Sequence, residues 1–324
     1  MGIETIGTPT LWIGFLLFIF AILGLDLGVI HRNAHEVSLR EAAIWSVIWV
    51  VLALIFSLGV YHWFGPVRGL EFLTGYVVEK ALSVDNIFVF VLLFTTFRVP
   101  AAYQHRVLFW GILGALVMRA IFIGVGAVLI ASFHWVLYLF GAFLVVTGAR
   151  MLLNKGAEVD PAHSTAFAFF KRLVPAVNEY HGARFLVRVN GRWFATPLLL
   201  VLIAIELTDV IFAVDSVPAV FGVTEDPFIV FTSNIFAILG LRALYFLLAG
   251  VMNRFRFLKT GLSLVLIFVG LKMLVAGFFK VPIGVSLGVI ALLVGGAVLA
   301  SFIWPTATET ETESGERVPC TTDD

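Results

Sequence analysis

The stretch EKALSVDNIF, residues 79 to 88, sets Glu79, Lys80 and Asp85 into a run of Val, Leu, Ile and Phe. A charged side chain at the centre of a bilayer-spanning helix costs about 2.5 to 3.5 kcal/mol on insertion scales, so it faces a protein interior or a water-filled path. A second stretch, DVIFAVDS at 209 to 216, repeats the pattern of an acid, three residues, a small residue, Val, Asp and a small polar residue. Two related acidic segments in one apolar chain decide the fold.

The surroundings are those of a membrane. Of the 324 residues 60% are hydrophobic and 13% charged, with a mean hydropathy of +1.04; soluble domains are nearer half apolar and a quarter charged. The reading is an all-α polytopic membrane protein whose lipid bilayer is its first partner. Net charge is zero, which offers nucleic acid no basic surface. One cysteine, Cys320, supports neither a disulfide framework nor a thiolate metal site within the chain. No nucleotide-binding loop, nucleophile elbow or dinucleotide fingerprint is present, so nothing suggests an enzyme or a tightly bound cofactor.

Spans of about 20 apolar residues are expected at nine places: roughly 9 to 30, 42 to 63, 70 to 97, 105 to 130, 134 to 153, 196 to 219, 228 to 251, 260 to 279 and 283 to 304. The first run, Thr8 to Ile30, follows Glu4, has no basic n-region and is too long for a signal peptide's core. Basic residues gather in alternate connections, among them Arg32, Arg98, Arg150, Lys171 and Arg256, against only Arg68 and Lys280 in the others. By the positive-inside rule the amino terminus faces out and the carboxyl terminus lies in the cytoplasm. Residues 1 to 304 then form one transmembrane domain. Its long loop, about 154 to 195, carries Asn190-Gly191 between alternating runs, the mark of a small hairpin in an otherwise plain linker. The Thr/Glu-rich tail, 305 to 324, is expected to be disordered.

The similarity of the acidic segments extends outward. VMRAIFIGVG around Arg119 answers GLRALYFLLAG around Arg242, and TGARMLL around Arg150 answers VGLKMLV around Lys272. Each unit holds three helices, about 70 to 153 and 196 to 279. The second must therefore enter the membrane from the opposite side, a 3+3 inverted repeat of the third to fifth and sixth to eighth helices. Such repeats hold the transported species near the midplane, where the copies meet.

On a regular helix Glu79, Ser83 and Asn86 share one face, as do Asp209, Ala213 and Ser216. Asp85 and Asp215 fall about 120° away. Either they face a neighbouring helix, or a distortion near Pro218 brings every acid together. Glu79, Asp85, Glu206, Asp209 and Asp215 meet Lys80, Arg119 and Arg242 at similar depth. These groups are either interhelical ion pairs or, since carboxylates outnumber cations, a cation site. Carboxylate, amide and hydroxyl oxygens, with Asn86 and Ser216 completing the shell, suit hard ions: Mn²⁺, Mg²⁺ or Ca²⁺. Protons can also be relayed by such a cluster. Asp26, near the end of the first helix, either lines a vestibule or snorkels beside His31 and Arg32.

The segments FLTGYVVEKALSVDNIFVF (72 to 90), ATPLLLVLIAIELTDVIFAVDSVPAVFGVTEDPFIVFTSNIFAILGLRALYFLLAG (195 to 250) and GTPTLWIGF (7 to 15) resemble the TerC family of integral membrane proteins, and most its Alx branch, from about Gly7 to Trp304. The resemblance implies a bacterial inner-membrane protein linked by name to tellurium resistance and, in that branch, to manganese export and alkaline pH. It places the family's intramembrane acids on Glu79, Asp85, Glu206, Asp209 and Asp215. Tellurite is an oxyanion that a carboxylate-rich midplane would repel, so resistance is expected to follow indirectly from metal balance. Two functions follow: export of Mn²⁺, with proton exchange as its drive, or a membrane scaffold or assembly factor whose buried acids are structural.

Overall fold

The computed structural model describes residues 5–25, 38–133, 135–153, 176–177, 179–189, 191–249 and 257–304. Asp26, the tail and most of the long loop lie outside the described residues. The helices are α1 (Pro9–Leu25), α2 (Leu39–Phe64), α3 (Pro66–Thr96), α4 (Ala101–Ser132) and α5 (Val136–Leu153). After the strands β1 (Leu186–Val189) and β2 (Arg192–Ala195) come α6 (Pro197–Phe221), α7 (Pro227–Leu239), α8 (Leu241–Leu248), α9 (Leu258–Val275) and α10 (Ile283–Ile303).

Helices account for every expected span. Among the described residues seven spans are long and apolar enough to cross a membrane: α2, α4, α5, α6, α7 with α8, α9 and α10. α3 is long enough but carries Glu79, Lys80 and Asp85 at its centre, and α1 is a shorter apolar helix. Two details differ from expectation. The span expected at 228 to 251 is interrupted at Gly240, which separates α7 from α8. α6, in contrast, runs unbroken through Pro218 to Phe221, so no distortion gathers the acids.

Local chemistry sets the helix starts. Ser38 caps α2 by accepting from the Glu41 amide at 3.2 Å, while Pro66, Pro197 and Pro227 occupy first turns, where a missing N–H costs nothing. Gly65, at φ 95°, turns α2 into α3 in one residue. Asp226 caps α7 through the Phe228 amide and also receives the Thr5 hydroxyl and the Ile6 amide, at 3.0, 2.7 and 2.8 Å. That carboxylate ties the amino-terminal segment to the α6–α7 turn, where Trp12 packs edge-on against Phe228.

The packing is reciprocal. α3 lies on α7 as α4 lies on α6, and α3 meets α6, α4 meets α7, and α5 meets α9. The closest approach is in the last pair. A Cβ on Gly148 would stand 2.7 Å from the Ser263 carbonyl and press on Ile267; one on Gly270 would stand 2.6 Å from the Gly141 carbonyl and press on Val145. Exchanging 148 for 270, 141 for 263 and 145 for 267 turns one set of contacts into the other. Small residues let the backbones meet in this way inside a bilayer. Gly141 lies by Gly270 and Gly148 by Ser263, so the two helices run antiparallel.

Candidate functional site at the crossing of α3 and α6

Glu79, Ser83 and Asn86 occupy one face of α3, and Asp209 and Ser216 the matching face of α6. All five are buried. Arg119 of α4, 1% exposed, enters between them. Its Nη1 donates to Glu79 Oε1, to Asn234 Oδ1 at 2.6 Å and to Ser216 Oγ at 3.0 Å. Its Nη2 and Nε donate to the two oxygens of Asp209 at 3.2 and 3.4 Å. One guanidinium thus joins two carboxylates, a fork that suits planar bidentate pairing.

The two helices also touch directly. Asn86 Nδ2 donates to Asp209 Oδ1 at 3.3 Å, and Ser216 lies against the Glu79 carboxylate. Positions 79 and 209 are equivalent in the two acidic segments, as are 86 and 216. The Asn86–Asp209 contact therefore maps onto the Ser216–Glu79 contact, with the helices again antiparallel. Asn234 Nδ2 closes the ring by donating to Glu79 Oε2 at 3.2 Å. Ser83 Oγ, one turn from Glu79 on the same face, is buried without a hydrogen-bond partner, an orphan that native interiors seldom tolerate without a role.

The other acids stand apart. Asp85 is turned toward α9, where Lys259 is the charge that acts on it. Asp215 is turned toward α5 and accepts from the Thr147 hydroxyl. Each Asp of the paired motifs thus meets the third helix of the other half, which settles the choice left by helix geometry: neighbours, not convergence. Glu206, half-buried, lays its carboxylate over Gly114 of α4, where a Cβ would come within 2.0 Å of Oε1. Lys80 Nζ donates to the Ala237 carbonyl at 3.3 Å, beside the Gly240 break. Arg242 is buried in α8, beyond that break. Among the described residues no three His, Cys, Asp or Glu side chains are gathered as a ready metal site. The five carboxylates are distributed, with only Glu79 and Asp209 sharing a partner.

Asn234 was not among the candidates from the sequence. Its signal is the polar triplet Thr232-Ser233-Asn234 inside an apolar span. Thr232 and Ser233 bond back to Phe228 and Val230 on their own helix, which leaves Asn234 to reach across to Glu79 and Arg119.

Known proteins bear on this arrangement. The Integral membrane protein TerC family matches residues 64–310. The chain is 54% identical over 300 residues to "Uncharacterized membrane protein STKORF319" of Myxococcus xanthus, covering 93% of this chain and 94% of that one. It is 49% identical over 296 residues to "Putative membrane-bound redox modulator Alx" of Escherichia coli K12, covering 89% and 92%. The protein of that name in Photorhabdus laumondii is 47% identical over 310 residues, covering 93% and 97%. No solved structure matches. With nearly the whole length shared and both acidic helices inside the match, the chain belongs to the TerC family of integral membrane proteins.

Proposed function

We propose that this protein is a membrane transporter that exports a hard divalent cation, Mn²⁺ foremost, through the crossing of α3 and α6. The observation that carries the reading is that Glu79 and Asp209, equivalent residues of two antiparallel helices, share one buried guanidinium. Around them stand side chains whose oxygens suit a hard ion: Asn86, Ser216, Asn234 and the unpartnered Ser83 hydroxyl. Two carboxylates match the charge of a divalent ion; Arg119 supplies the compensation when no ion is bound, and must withdraw from one of them when an ion arrives. The reciprocal contacts at α3–α6 and α5–α9 need a two-fold axis perpendicular to the helices, which supports an inverted repeat that rocks about this site.

Asp85 and Asp215 are then way-points on the two sides, and protons are the natural counter-ion for carboxylates that change partners. The bacterial inner membrane, with the amino terminus outside and the carboxyl terminus in the cytoplasm, gives export its direction. Any tellurium effect of such a protein is indirect, through metal balance, because a carboxylate-rich crossing repels an oxyanion; a lone Cys320 offers no disulfide within the chain to any redox effect.

The second reading, a membrane scaffold, is favoured by the closed hydrogen bonding of Arg119, since a buried ion pair can serve structure alone. Mn²⁺ flux into proteoliposomes under an imposed pH gradient separates the two. The parent carries Mn²⁺, while Glu79→Gln and Asp209→Asn proteins of equal abundance and intact fold do not. Equal flux in the parent and both variants removes the ion from this crossing; no flux in the parent above empty vesicles favours the scaffold.

A further inference from the structure

The β1–β2 hairpin has no part in the transport site, and its chemistry is distinct. Leu186 pairs with Ala195, Val187 with Phe194, Arg188 with Trp193 and Val189 with Arg192. Alternation along each strand puts Val187 and Phe194 on one face and Leu186, Arg188 and Trp193 on the other. The first face continues into Phe185, whose ring meets Trp110 of α4 edge-on, with the Arg106 guanidinium 5.4 Å from its centre. The second face is open beyond buried Ala195: Leu186 is 48% and Trp193 63% exposed and Arg188 is exposed as well, while Arg192, paired with Val189 beside the turn, is exposed at the outer end of the first face.

Depth decides what covers that face. α4 begins with the polar turns AAYQHR and becomes apolar from Val107, so Arg106 and Trp110 bracket the edge of the hydrocarbon. The hairpin is fastened at this level on α4. At its other end Thr196 donates through its hydroxyl to the Arg184 carbonyl at 2.7 Å and through its amide to the Phe185 carbonyl at 2.9 Å, immediately before α6 enters the membrane at Pro197. A short ribbon therefore lies among the headgroups with the Trp193 indole exposed to them; Arg188 spends its Nε on the Gly191 carbonyl at 3.3 Å, which leaves its terminal nitrogens, with the exposed Arg192, to meet phosphate oxygens.

We infer that this hairpin is a binding surface for anionic phospholipid. Arg188 and Arg192 engage the phosphates, and Trp193 seats its ring at the ester level while Leu186 covers the first methylenes. Guanidinium forks suit phosphate oxygens, indole rings favour the interface, and basic groups beside a span gain from an anionic surface within a Debye length. This holds whether or not the α3–α6 crossing carries an ion.

The test uses the full chain in nanodiscs of phosphatidylcholine, alone or mixed with phosphatidylglycerol. The melting temperature of the parent rises with phosphatidylglycerol, and added salt shrinks the rise. An Arg188→Gln/Arg192→Gln protein melts with the parent in phosphatidylcholine but loses most of the rise. In parallel, lipid brominated near the ester quenches tryptophan fluorescence less in Trp193→Phe than in the parent. A double variant that keeps the full rise overturns the assignment and leaves the face to a protein partner. Should the double variant fail to fold in phosphatidylcholine, the quenching decides alone, and equal quenching in Trp193→Phe and the parent overturns it.

Discussion

Two helix crossings carry the same reciprocal pattern with opposite chemistry. Where α5 meets α9, glycines let carbonyls approach within van der Waals reach, and the atoms they meet are backbone and the apolar side chains of Val145, Ile267, Met273 and Leu274. Where α3 meets α6, the meeting residues are two acids, an amide and a hydroxyl, with a guanidinium supplied by α4 between them. The first crossing is held by fit, the second by compensation. A fitted crossing fails when a group is added, whereas a compensated one fails when a group is removed and can recover when its opposite is removed too.

The largest expected effect is at the compensated crossing. Arg119→Met leaves Glu79 and Asp209 buried together without a counter-charge, and breaking a buried pair costs about 3–5 kcal/mol. A fall in melting temperature and in folded yield is expected. Adding Glu79→Gln and Asp209→Asn to Arg119→Met should restore much of the stability but no Mn²⁺ flux. If the triple variant is no more stable than the single one, charge compensation is not what holds α3 to α6.

Next comes the fitted crossing. Gly270→Ala puts a Cβ 2.6 Å from the Gly141 carbonyl, and Gly148→Ala puts one 2.7 Å from that of Ser263. Both obstacles are backbone, so the helices must separate; overpacking of this kind costs about 1–3 kcal/mol. Equivalence of the halves predicts similar losses of melting temperature for the two variants. A large loss in one and none in the other would break the comparison, showing that the reciprocal geometry does not carry reciprocal energy.

Asn234 sharpens it at a smaller scale. Asn234→Leu leaves Glu79 Oε2 short of its donor, about 1–3 kcal/mol for a buried polar group, while Arg119 Nη1 keeps Glu79 and Ser216 as acceptors. Thr232→Val in the same helix, whose hydroxyl bonds only to its own carbonyls, should cost clearly less. Comparable losses from the two changes would deny Asn234 its place in the site.

How far these features were legible follows from which interactions are local. Hydropathy showed the spans, and Asn190-Gly191 the hairpin, because both signals lie within a few residues. The convergence of Glu79 and Asp209 was legible through the alignment of the two acidic segments, which is long-range information carried in one chain. Helix arithmetic placed Asp85 and Asp215 off that face but could not name their neighbours, Lys259 and Thr147, which depend on how α9 and α5 pack. The break at Gly240 escaped because a glycine in an apolar run is compatible with a continuous helix. What marks it is Lys80 reaching the Ala237 carbonyl from 157 residues away, and no local pattern records that.

Ser83 gives the finest test of what the compensated crossing is for. Its hydroxyl lies on the face of α3 that carries Glu79 and Asn86, is fully buried and has no hydrogen-bond partner. If the crossing exists only to hold helices together, that oxygen contributes nothing, and Ser83→Ala relieves an unsatisfied group. Stability then stays level or rises by about 1 kcal/mol, and flux, if any, is unaltered. If the crossing receives an ion, the hydroxyl is held in reserve for it. Ser83→Ala should then leave or improve the melting temperature while raising the Mn²⁺ concentration needed for half-maximal flux. Ser83→Thr, which restores the oxygen at the expense of one added methyl, should bring the affinity back toward the parent. A rise in stability joined to a fall in ion affinity is a combination that a purely structural crossing cannot produce, because removing a useless polar atom has no ligand to cost it.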